Sequence, residues 1–179
     1  MSVIEAPLFN SEHCEKIIDF AKNFTAEIGT LGGQSRQEEK TRNSKIVWLR
    51  EKQGAQPIFE KINEYVLTLN ESIWKFNLTE IENSIQYTIY DSSKSHYDWH
   101  IDVSNQLASR RKLSIVVQLS DPLDYEGGEL RIQSTNLVTA GKERGNSIVF
   151  PSTLAHKVNP PTKGIRCSLV AWVCGAPFR

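Results

Sequence analysis

Two overlapping pairs of histidine and aspartate lie in the short segment HYDWHID: His96 with Asp98, and His100 with Asp102. In a strand, residues two apart point to the same side, so either pair could direct an imidazole and a carboxylate at one metal ion. A second histidine from another strand would complete a set of two histidines and one carboxylate. That set leaves coordination positions open and suits the oxygen chemistry of non-haem Fe(II). The spacing alone leaves both pairs open as ligands.

A second histidine and a candidate anion-binding arginine follow later in the chain. His156 lies in a separate predicted strand, and another strand is predicted over residues 165–173. Alternation along that strand puts Arg166, Ser168 and Trp172 on one face. An arginine and a hydroxyl on one face can together bind a carboxylate. The sequence therefore combines a candidate metal site with a candidate carboxylate site.

The elements that must position these residues change in type near residue 84. Before it, apolar residues recur at helical spacing in two segments, and after it short strands alternate with turn-forming residues. The predicted strands of the second part are 84–90, 95–102, 112–119, 128–133, 136–140, 146–150, 154–158 and 165–173. This pattern indicates a sandwich or barrel whose preceding helices buttress one sheet face. We expect an α+β, mostly β, single domain over residues 1–179, with helical support and a loop in 1–83 and the strand core in 84–179.

The helical part carries start and stop signals. Asn10 or Ser11 can cap a first helix, which is predicted to end at Gly29. A second helix is predicted to begin near Pro57, because proline is tolerated in a first turn. The polar, glycine-rich residues 29–43 are predicted to form a mobile lid loop. Short strands are predicted at 3–9 and 44–49.

The composition argues against several classes of partner. Lysine plus arginine total 21 and aspartate plus glutamate total 21, so the formal net charge is zero. This balance argues against a broad surface for nucleic acid or an anionic membrane. The sequence predicts neither a signal peptide nor a membrane span. Because three cysteines without a CxxC pair do not suggest a disulfide framework, we expect a soluble, cytoplasmic protein with reduced thiols.

The candidate ligands belong to a longer ordered series of motifs. Its residues are Tyr90, Tyr97, His100, Asp102, Gly127, Gly128, Glu129, Leu130, Gly145, Phe150, Pro151, His156, Val158, Gly164, Arg166, Ser168 and Trp172. This order and spacing resemble the prolyl 4-hydroxylase-like 2-oxoglutarate oxygenases, and the bacterial PKHD-type hydroxylases are the nearest resemblance over 84–173. The upstream pattern Arg42-x-Ser44-x-x-x-Trp48-Leu49 also resembles the prolyl hydroxylases. Each motif is modest alone, but the order is specific and covers most of the chain.

The resemblance implies a fold and chooses between the two ligand pairs. The family's fold is a double-stranded β-helix, or jelly roll, with supporting N-terminal helices. Its first iron-binding histidine follows an aromatic residue by three positions and a tyrosine by ten. Tyr97 and Tyr90 meet these spacings for His100. The resemblance therefore implies that Fe(II) is bound by His100, Asp102 and His156.

The resemblance also implies a site for 2-oxoglutarate as co-substrate, and ascorbate is a further cofactor candidate. Arg166 would pair with the 5-carboxylate, Ser168 and Tyr90 would donate hydrogen bonds to it, and Trp172 would line the pocket. A buried ion pair needs such extra bonds to offset its desolvation. One position departs from the family, because many relatives carry a tyrosine where this chain has Gln118. Either Gln118 replaces that tyrosine as a donor, or this part of the site is rearranged.

The activity implied by the resemblance is hydroxylation of an unactivated C–H bond, in which O₂ and 2-oxoglutarate are consumed and succinate and CO₂ are released. The candidates for substrate contact are Tyr97, His96, Asp98 and Arg42, although His96 and Asp98 could instead form a polar strand contact. We expect a peptidyl residue, proline first, because a mobile lid can close over an extended peptide. The alternatives are a free amino acid or other small molecule as substrate, and a β-helix module that binds metal without turnover.

Overall fold

The computed structural model describes residues 2–29, 40–103 and 110–176. Most of the predicted lid loop, residues 30–39, therefore lies outside the described residues. The same is true of residues 104–109, which follow the strand that carries the first candidate ligands.

Two α-helices and fifteen strands are formed by the described residues. The helices are α1 (Ser11–Ala21) and α2 (Gln56–Ser72). The strands are β1 (Ile4–Pro7), β2 (Glu27–Ile28), β3 (Arg42–Asn43), β4 (Lys45–Arg50), β5 (Leu78–Ile81), β6 (Ser84–Tyr90), β7 (His96–His100), β8 (Arg111–Gln118), β9 (Tyr125–Gly127), β10 (Leu130–Gln133), β11 (Leu137–Thr139), β12 (Asn146–Pro151), β13 (His156–Val158), β14 (Pro161–Gly164) and β15 (Arg166–Gly175). The predicted α+β, mostly β, class is confirmed.

The strands form two main sheets and a two-stranded ribbon. The eight-stranded sheet has the order β1-β12-β8-β15-β6-β4-β2, and β5 pairs with β15 at its side. The five-stranded sheet has the order β11-β10-β13-β7-β3, and β14 pairs with β9. The pairs are antiparallel, and many join strands that are far apart in sequence. This arrangement is the predicted jelly roll.

Strand β15 shows how the alternating pattern builds two cores. Leu169 and Val173 point to the sheet face that also contacts both helices, where Ile17 and Ile62 are buried with them. Val170, on the other face of β15, packs in a second core between the two sheets. Each fully buried aliphatic side chain of this kind stabilises the fold by roughly 1.5–3 kcal/mol. The helices therefore cover one face of the large sheet, as predicted, and leave the other face for the site.

Helix α1 begins as predicted but ends earlier. The backbone N–H of His13 donates to the side chain of Asn10 at 2.8 Å, which confirms Asn10 as the cap. The helix ends at Ala21, and β2 takes up the residues that were predicted as its last turn. The helical spacing of apolar residues continues past Ala21, but pairing of β2 with β4 overrides it. The prediction of a helix up to Gly29 was therefore wrong.

Several strands form where the sequence predicts turns. β9 and β14 pair with each other, although both segments are rich in glycine or proline. Gly127 has a φ of 73°, and a Cβ there would lie 2.6 Å from the carbonyl oxygen of Pro160. Only glycine accommodates both this backbone conformation and this close approach. The same glycines that suggested a turn thus permit a ribbon.

No helix in the described ranges is both long enough and apolar enough to cross a membrane. Cys14, Cys167 and Cys174 are buried and unpaired. Burial raises the pKa of each thiol. The cysteines are therefore packed as small apolar groups and not as a disulfide framework.

Candidate metal centre

Pairing within the five-stranded sheet brings His100 and His156 together, and the bend after β7 adds Asp102 to them. His100 ends β7 and His156 begins β13, and the two residues are direct partners in the sheet. One potential ligand atom from each of the three residues lies within 4.8 Å of the other two. Two imidazoles and one carboxylate at this spacing are the ligand set of a non-haem Fe(II) centre.

Hydrogen bonds fix which nitrogen each histidine offers to a metal. Nδ1 of His100 donates to the carbonyl oxygen of Asp98 at 2.7 Å, and Nδ1 of His156 donates to that of Leu154 at 3.0 Å. Because a carbonyl can only accept, the proton belongs on Nδ1 and the lone pair on Nε2. The two Nε2 atoms lie 3.7 Å and 3.5 Å from the carboxylate oxygens of Asp102. Backbone carbonyls therefore orient both rings towards a shared ion.

Asp102 lies just beyond the end of β7, so it reaches the site through a bend and not through strand alternation. Its N–H donates to the carbonyl oxygen of Ser152 at 3.0 Å, and its Oδ2 accepts from the hydroxyl of Ser114 at 2.6 Å. Ser114 and Ser152 also contact each other at 2.9 Å. The prediction of a strand over 95–102 was thus too long, although the grouping of His100 with Asp102 holds.

The electrostatics of the site favour a neutral imidazole beside an ionised carboxylate. Burial, and then the neighbouring His156, lower the pKa of His100 to about 4. Burial opposes ionisation of Asp102, but His156, His100 and the Ser114 hydroxyl outweigh it and hold the pKa of the carboxyl below its usual range. At neutral pH these are the protonation states that a divalent metal requires of its ligands.

A β-bulge decides which neighbours of His100 face the site. His156 pairs with His100 and Val158 pairs with Tyr97, so two steps on β13 match three on β7. The extra residue brings Tyr97 onto the face of His100, and the two rings stack at 3.5 Å with an angle of 10°. Regular alternation would have placed His96 there instead.

His96 and Asp98 are not brought together with the metal ligands. The ring nitrogens of His96 contact the backbone carbonyls of Lys94 at 2.7 Å and Lys40 at 2.9 Å. The carboxylate of Asp98 accepts a hydrogen bond from the N–H of Trp99 at 2.8 Å. Both residues therefore make the polar strand contacts that were the alternative to a role at the substrate.

Arg166 is a fully buried cation at the start of β15, with only 1% of its surface exposed. Its Nη2 donates to Oε1 of Gln118 at 2.9 Å, and its guanidinium lies over the ring of Tyr90 at 5.3 Å. Nε and Nη1 have no hydrogen-bond partner among the described residues. Buried donors are rarely left unpaired, so these two nitrogens mark a place for an anion.

The sequence departure at Gln118 has a structural explanation. Its Oε1 accepts from Arg166, and its Nε2 donates to the carbonyl oxygen of Gly141 at 2.9 Å. The side chain thereby holds the arginine in place, so the expectation that it donates to the co-substrate lacks support in this geometry. Ser168 is its direct partner in the sheet and is buried beside it.

Tyr125 is a neighbour of Arg166 that the sequence analysis missed. Burial raises the pKa of its phenol, while the charge of Arg166 acts in the opposite direction. Gly128 makes room between them, because a Cβ there would lie 3.0 Å from Cδ of Arg166 and 3.4 Å from the Tyr125 ring. Tyr125 therefore lies beside Arg166 although it belongs to β9 and not to the end of β8. The pattern Tyr-x-Gly-Gly was visible, but its long-range partner was not.

Trp172 lies at the metal end of the site and not beside Arg166. Its direct partner in the sheet is Ser114, the donor to Asp102. The guanidinium of Arg111 lies 3.7 Å over the indole ring, and Arg111 itself pairs with Glu82. The indole N–H is buried and has no hydrogen-bond partner among the described residues. The expected position in the wall of the 2-oxoglutarate pocket is therefore shifted towards the metal ligands.

The sequence of the chain is similar to sequences of known oxygenases. The family model described as the 2OG-Fe(II) oxygenase superfamily matches residues 85–174, which is half of the chain. A PKHD-type hydroxylase from Synechococcus sp. (strain JA-2-3B'a(2-13)) is 33% identical over 120 residues, covering 63% of this chain and 54% of that protein. The chain thus spans about half the length of the curated relatives it matches.

Solved structures agree with the fold. A Pseudomonas putida prolyl-4-hydroxylase superposes with a TM-score of 0.78 and 18% identity, over 96% of this chain and 92% of that one. A prolyl hydroxylase from Trichoplax adhaerens, in complex with a peptide fragment of the hypoxia inducible factor oxygen degradation domain, also has a TM-score of 0.78. Its identity is 16%, over 96% of this chain and 83% of that one. At these identities the likeness concerns the fold.

The chain belongs to the 2OG-Fe(II) oxygenase superfamily. Within it, the chain is similar to the prolyl 4-hydroxylase-like members, in sequence to the PKHD-type hydroxylases and in fold to prolyl hydroxylases. Fe(II) and 2-oxoglutarate are the metal and co-substrate of the superfamily, and the residues fit both. His100, Asp102 and His156 supply the donors that Fe(II) accepts, and Arg166 has two buried N–H groups free for a carboxylate.

Proposed function

We propose that this protein is an Fe(II)- and 2-oxoglutarate-dependent dioxygenase that hydroxylates an unactivated C–H bond, with a peptidyl residue such as proline as the first expected substrate. The observation that carries the proposal is the presence, on one side of the large sheet, of a complete ligand triad and a buried, incompletely paired Arg166. A module that only bound metal would have no use for that arginine. In such a module, no ligand would offset the desolvation cost of burying the arginine.

The roles follow from the contacts. His100, Asp102 and His156 would hold the iron, and Ser114 would keep the carboxylate of Asp102 oriented towards it. When bound, iron and 2-oxoglutarate supply the oxidising power: O₂ is split between succinate and the hydroxylated product, and CO₂ is released. The protein supplies binding, orientation and a dry environment.

Arg166 would bind the distal carboxylate of 2-oxoglutarate through Nε and Nη1. Gln118 already occupies Nη2 and so fixes the plane of the guanidinium. The hydroxyls of Ser168 and Tyr90 are proposed as further donors, because both residues are buried close to Arg166 in the sheet. Such neighbours are needed to make a buried ion pair favourable.

A peptidyl substrate is supported by the relatives. The Trichoplax adhaerens structure holds a peptide, and the Pseudomonas putida structure is that of a prolyl-4-hydroxylase. Because those chains are less than 20% identical to this one, proline is the first substrate to test and not a conclusion. The free, buried cysteines are consistent with the reducing cytoplasmic compartment that we propose for this activity.

The deciding experiment is anaerobic addition of Fe(II) and 2-oxoglutarate to the purified protein. We expect a weak visible charge-transfer band, and formation of succinate when O₂ is admitted. A panel of proline-containing peptides, followed by mass spectrometry for the gain of one oxygen atom, then tests the substrate. Absence of both the band and succinate would overturn the enzyme proposal. A band and succinate without any hydroxylated peptide would overturn only the peptidyl assignment.

A further inference from the structure

A second arginine, Arg42, is buried close to the metal ligands. Only 5% of its surface is exposed. Its Nε donates to the hydroxyl of Ser44 at 3.0 Å, and its guanidinium lies 4.6 Å from the centre of the Tyr97 ring. Gly29 borders it, since a Cβ on Gly29 would lie 2.6 Å from Nε of Arg42. The guanidinium therefore lies in a defined cradle and is not a surface group.

The ring of Tyr97 separates the Arg42 side chain from His100, one of the proposed iron ligands. Arg42 and Tyr97 are direct partners between β3 and β7. His100 stacks on one face of Tyr97 at 3.5 Å, which leaves no room for a guanidinium on that face. Arg42 must therefore lie on the other face, so the order is Arg42, Tyr97, His100. Its charge also acts on the pKa of Tyr90, together with that of Arg166.

The guanidinium of Arg42 has an unpaired N–H group and no counter-ion among the described residues. Nη2 of Arg42 is buried without a hydrogen-bond partner, and no carboxylate in residues 2–29, 40–103 or 110–176 forms an ion pair with it. Arg111 provides the contrast, because Glu82 neutralises it through two hydrogen bonds of 2.6 Å and 2.8 Å. A buried charge with an unpaired donor is unfavourable unless a ligand completes it.

The charges at the site also do not balance once its cofactors are included. Fe(II) and the doubly negative 2-oxoglutarate cancel each other. Among the described residues at the site, Asp102 offsets one of the two buried arginines, Arg166 and Arg42, and one positive charge remains. An excess positive charge on a buried side chain favours an anionic ligand.

We propose that Arg42 binds a carboxylate of the substrate, so that the oxidised residue carries its own carboxylate close to the reacting C–H bond. This inference rests on the proposed function and narrows its substrate class. The chemistry fits a free amino acid or the C-terminal residue of a peptide, and it disfavours an internal peptide residue. The free Nη2 is the donor, Ser44 fixes the guanidinium through Nε, and Tyr97 supports its face.

The test uses matched pairs of acids and amides. The probes are the twenty common amino acids as free acids, as N-acetyl acids and as N-acetyl amides, together with peptides that end in either a carboxylate or an amide. Binding is read from the change in the charge-transfer band of the anaerobic Fe(II) and 2-oxoglutarate complex. Hydroxylation is read separately, after O₂ is admitted, from the gain of one oxygen atom.

In the wild-type protein we expect the acid of an accepted pair to bind at least about thirtyfold more tightly than its amide, as is usual when one partner of a buried charge pair is removed. In Arg42→Gln this preference should fall close to one while the band itself persists. Arg42→Lys should keep part of the preference for acids over amides, because the positive charge remains but the planar set of N–H donors of the guanidinium is lost. Gly29→Ala should reduce it as well, since the added methyl displaces the guanidinium without removing its charge.

Lys45→Gln is the matched control. It removes one positive charge from the neighbouring strand β4, at an exposed residue paired with Asp91, and should leave the preference unchanged. The inference is overturned if amides or internal residues bind as well as acids, if the preference survives Arg42→Gln, or if no probe binds although the band forms. The lack of a band in the wild-type protein would instead overturn the proposed function, and this inference with it.

Discussion

At the scale of single residues, two histidines four positions apart have different roles. His100 directs its free Nε2 towards Asp102 and His156, whereas both ring nitrogens of His96 contact backbone carbonyls. The identity of a residue and its spacing do not distinguish these cases. The hydrogen bonds of the ring nitrogens distinguish the two histidines, because they decide whether a lone pair remains available for a metal.

The first prediction separates these two histidines. His100→Ala should abolish stoichiometric binding of Fe(II), because the site loses one of its three ligands. His96→Ala should bind Fe(II) like the wild-type protein. Anaerobic titration of each variant with Fe(II) measures the difference. Loss of binding in the His96 variant alone would show that the other His-x-Asp pair holds the metal.

The second prediction concerns Arg166. Arg166→Ala should raise the 2-oxoglutarate concentration needed for half-maximal succinate formation by about thirtyfold or more, because a buried charged partner is removed. Fe(II) binding should be retained, since Arg166 is not one of the ligands. Arg50→Ala, which removes an exposed arginine from the end of β4, is the control. An unchanged 2-oxoglutarate requirement in the Arg166 variant would refute its role.

At the scale of elements, the N-cap of α1 allows the contribution of one local hydrogen bond to stability to be measured directly. Asn10→Ala should lower the free energy of unfolding by about 1 kcal/mol, because the N–H of His13 loses its acceptor. Asn10→Ser keeps an oxygen at this position and should retain nearly all of the stability. Urea denaturation of the three proteins measures both effects. Equal losses in the two variants would show that the hydrogen bond is not the cause.

How far the elements could be predicted depended on whether local pattern or distant pairing decides them. β6 was predicted over 84–90 and is observed as Ser84–Tyr90, because its boundaries follow from local residue types. The two faces of β15 likewise follow from simple alternation. β2 was missed because its partner β4 lies beyond residues 30–39, and the local sequence around β2 does not predict that pairing.

The candidate site shows the same division. The grouping of the ligand triad could be predicted only through the family resemblance, because the spacing of the His-x-Asp pairs alone left both pairs open. The bulge that turns Tyr97 towards His100 could not, because it depends on the register between β7 and β13. The approach of Tyr125 to Arg166 was missed for a similar reason: it requires β9 to fold back beside the start of β15.

At the scale of the whole molecule, the partly buried His100 makes the free energy of unfolding depend on pH. Its pKa in the fold is about 4, below its ordinary value of 6.5, so between these values the unfolded chain binds a proton that the folded chain does not. Stability is therefore complete above about pH 6.5 and is lost as the pH falls towards 4. At pH 5 this group should cost the metal-free protein about 2 kcal/mol relative to pH 7.

This prediction is tested by measuring the free energy of unfolding without metal at pH 7 and pH 5. The comparison is between the wild-type protein and His100→Asn, which removes the titrating group. The difference between the two pH values should be smaller in the variant by about 2 kcal/mol. If the variant shows the same pH dependence as the wild-type protein, other groups are responsible.

The helical layer has a practical consequence. α1 and α2 pack on the face of the large sheet opposite to the metal ligands, and their exposed side chains include Lys16 and Lys61. A support or a fluorescent label attached through these two amines would therefore have the whole sheet between it and the reaction centre. Lys157 is the amine to replace first, because it lies next to His156 in sequence and over the ring of Trp99. Coupling at Lys16 and Lys61 alone also requires replacement of the other exposed lysines, among them Lys40, Lys45 and Lys94, and the molecule is then held by its helical face.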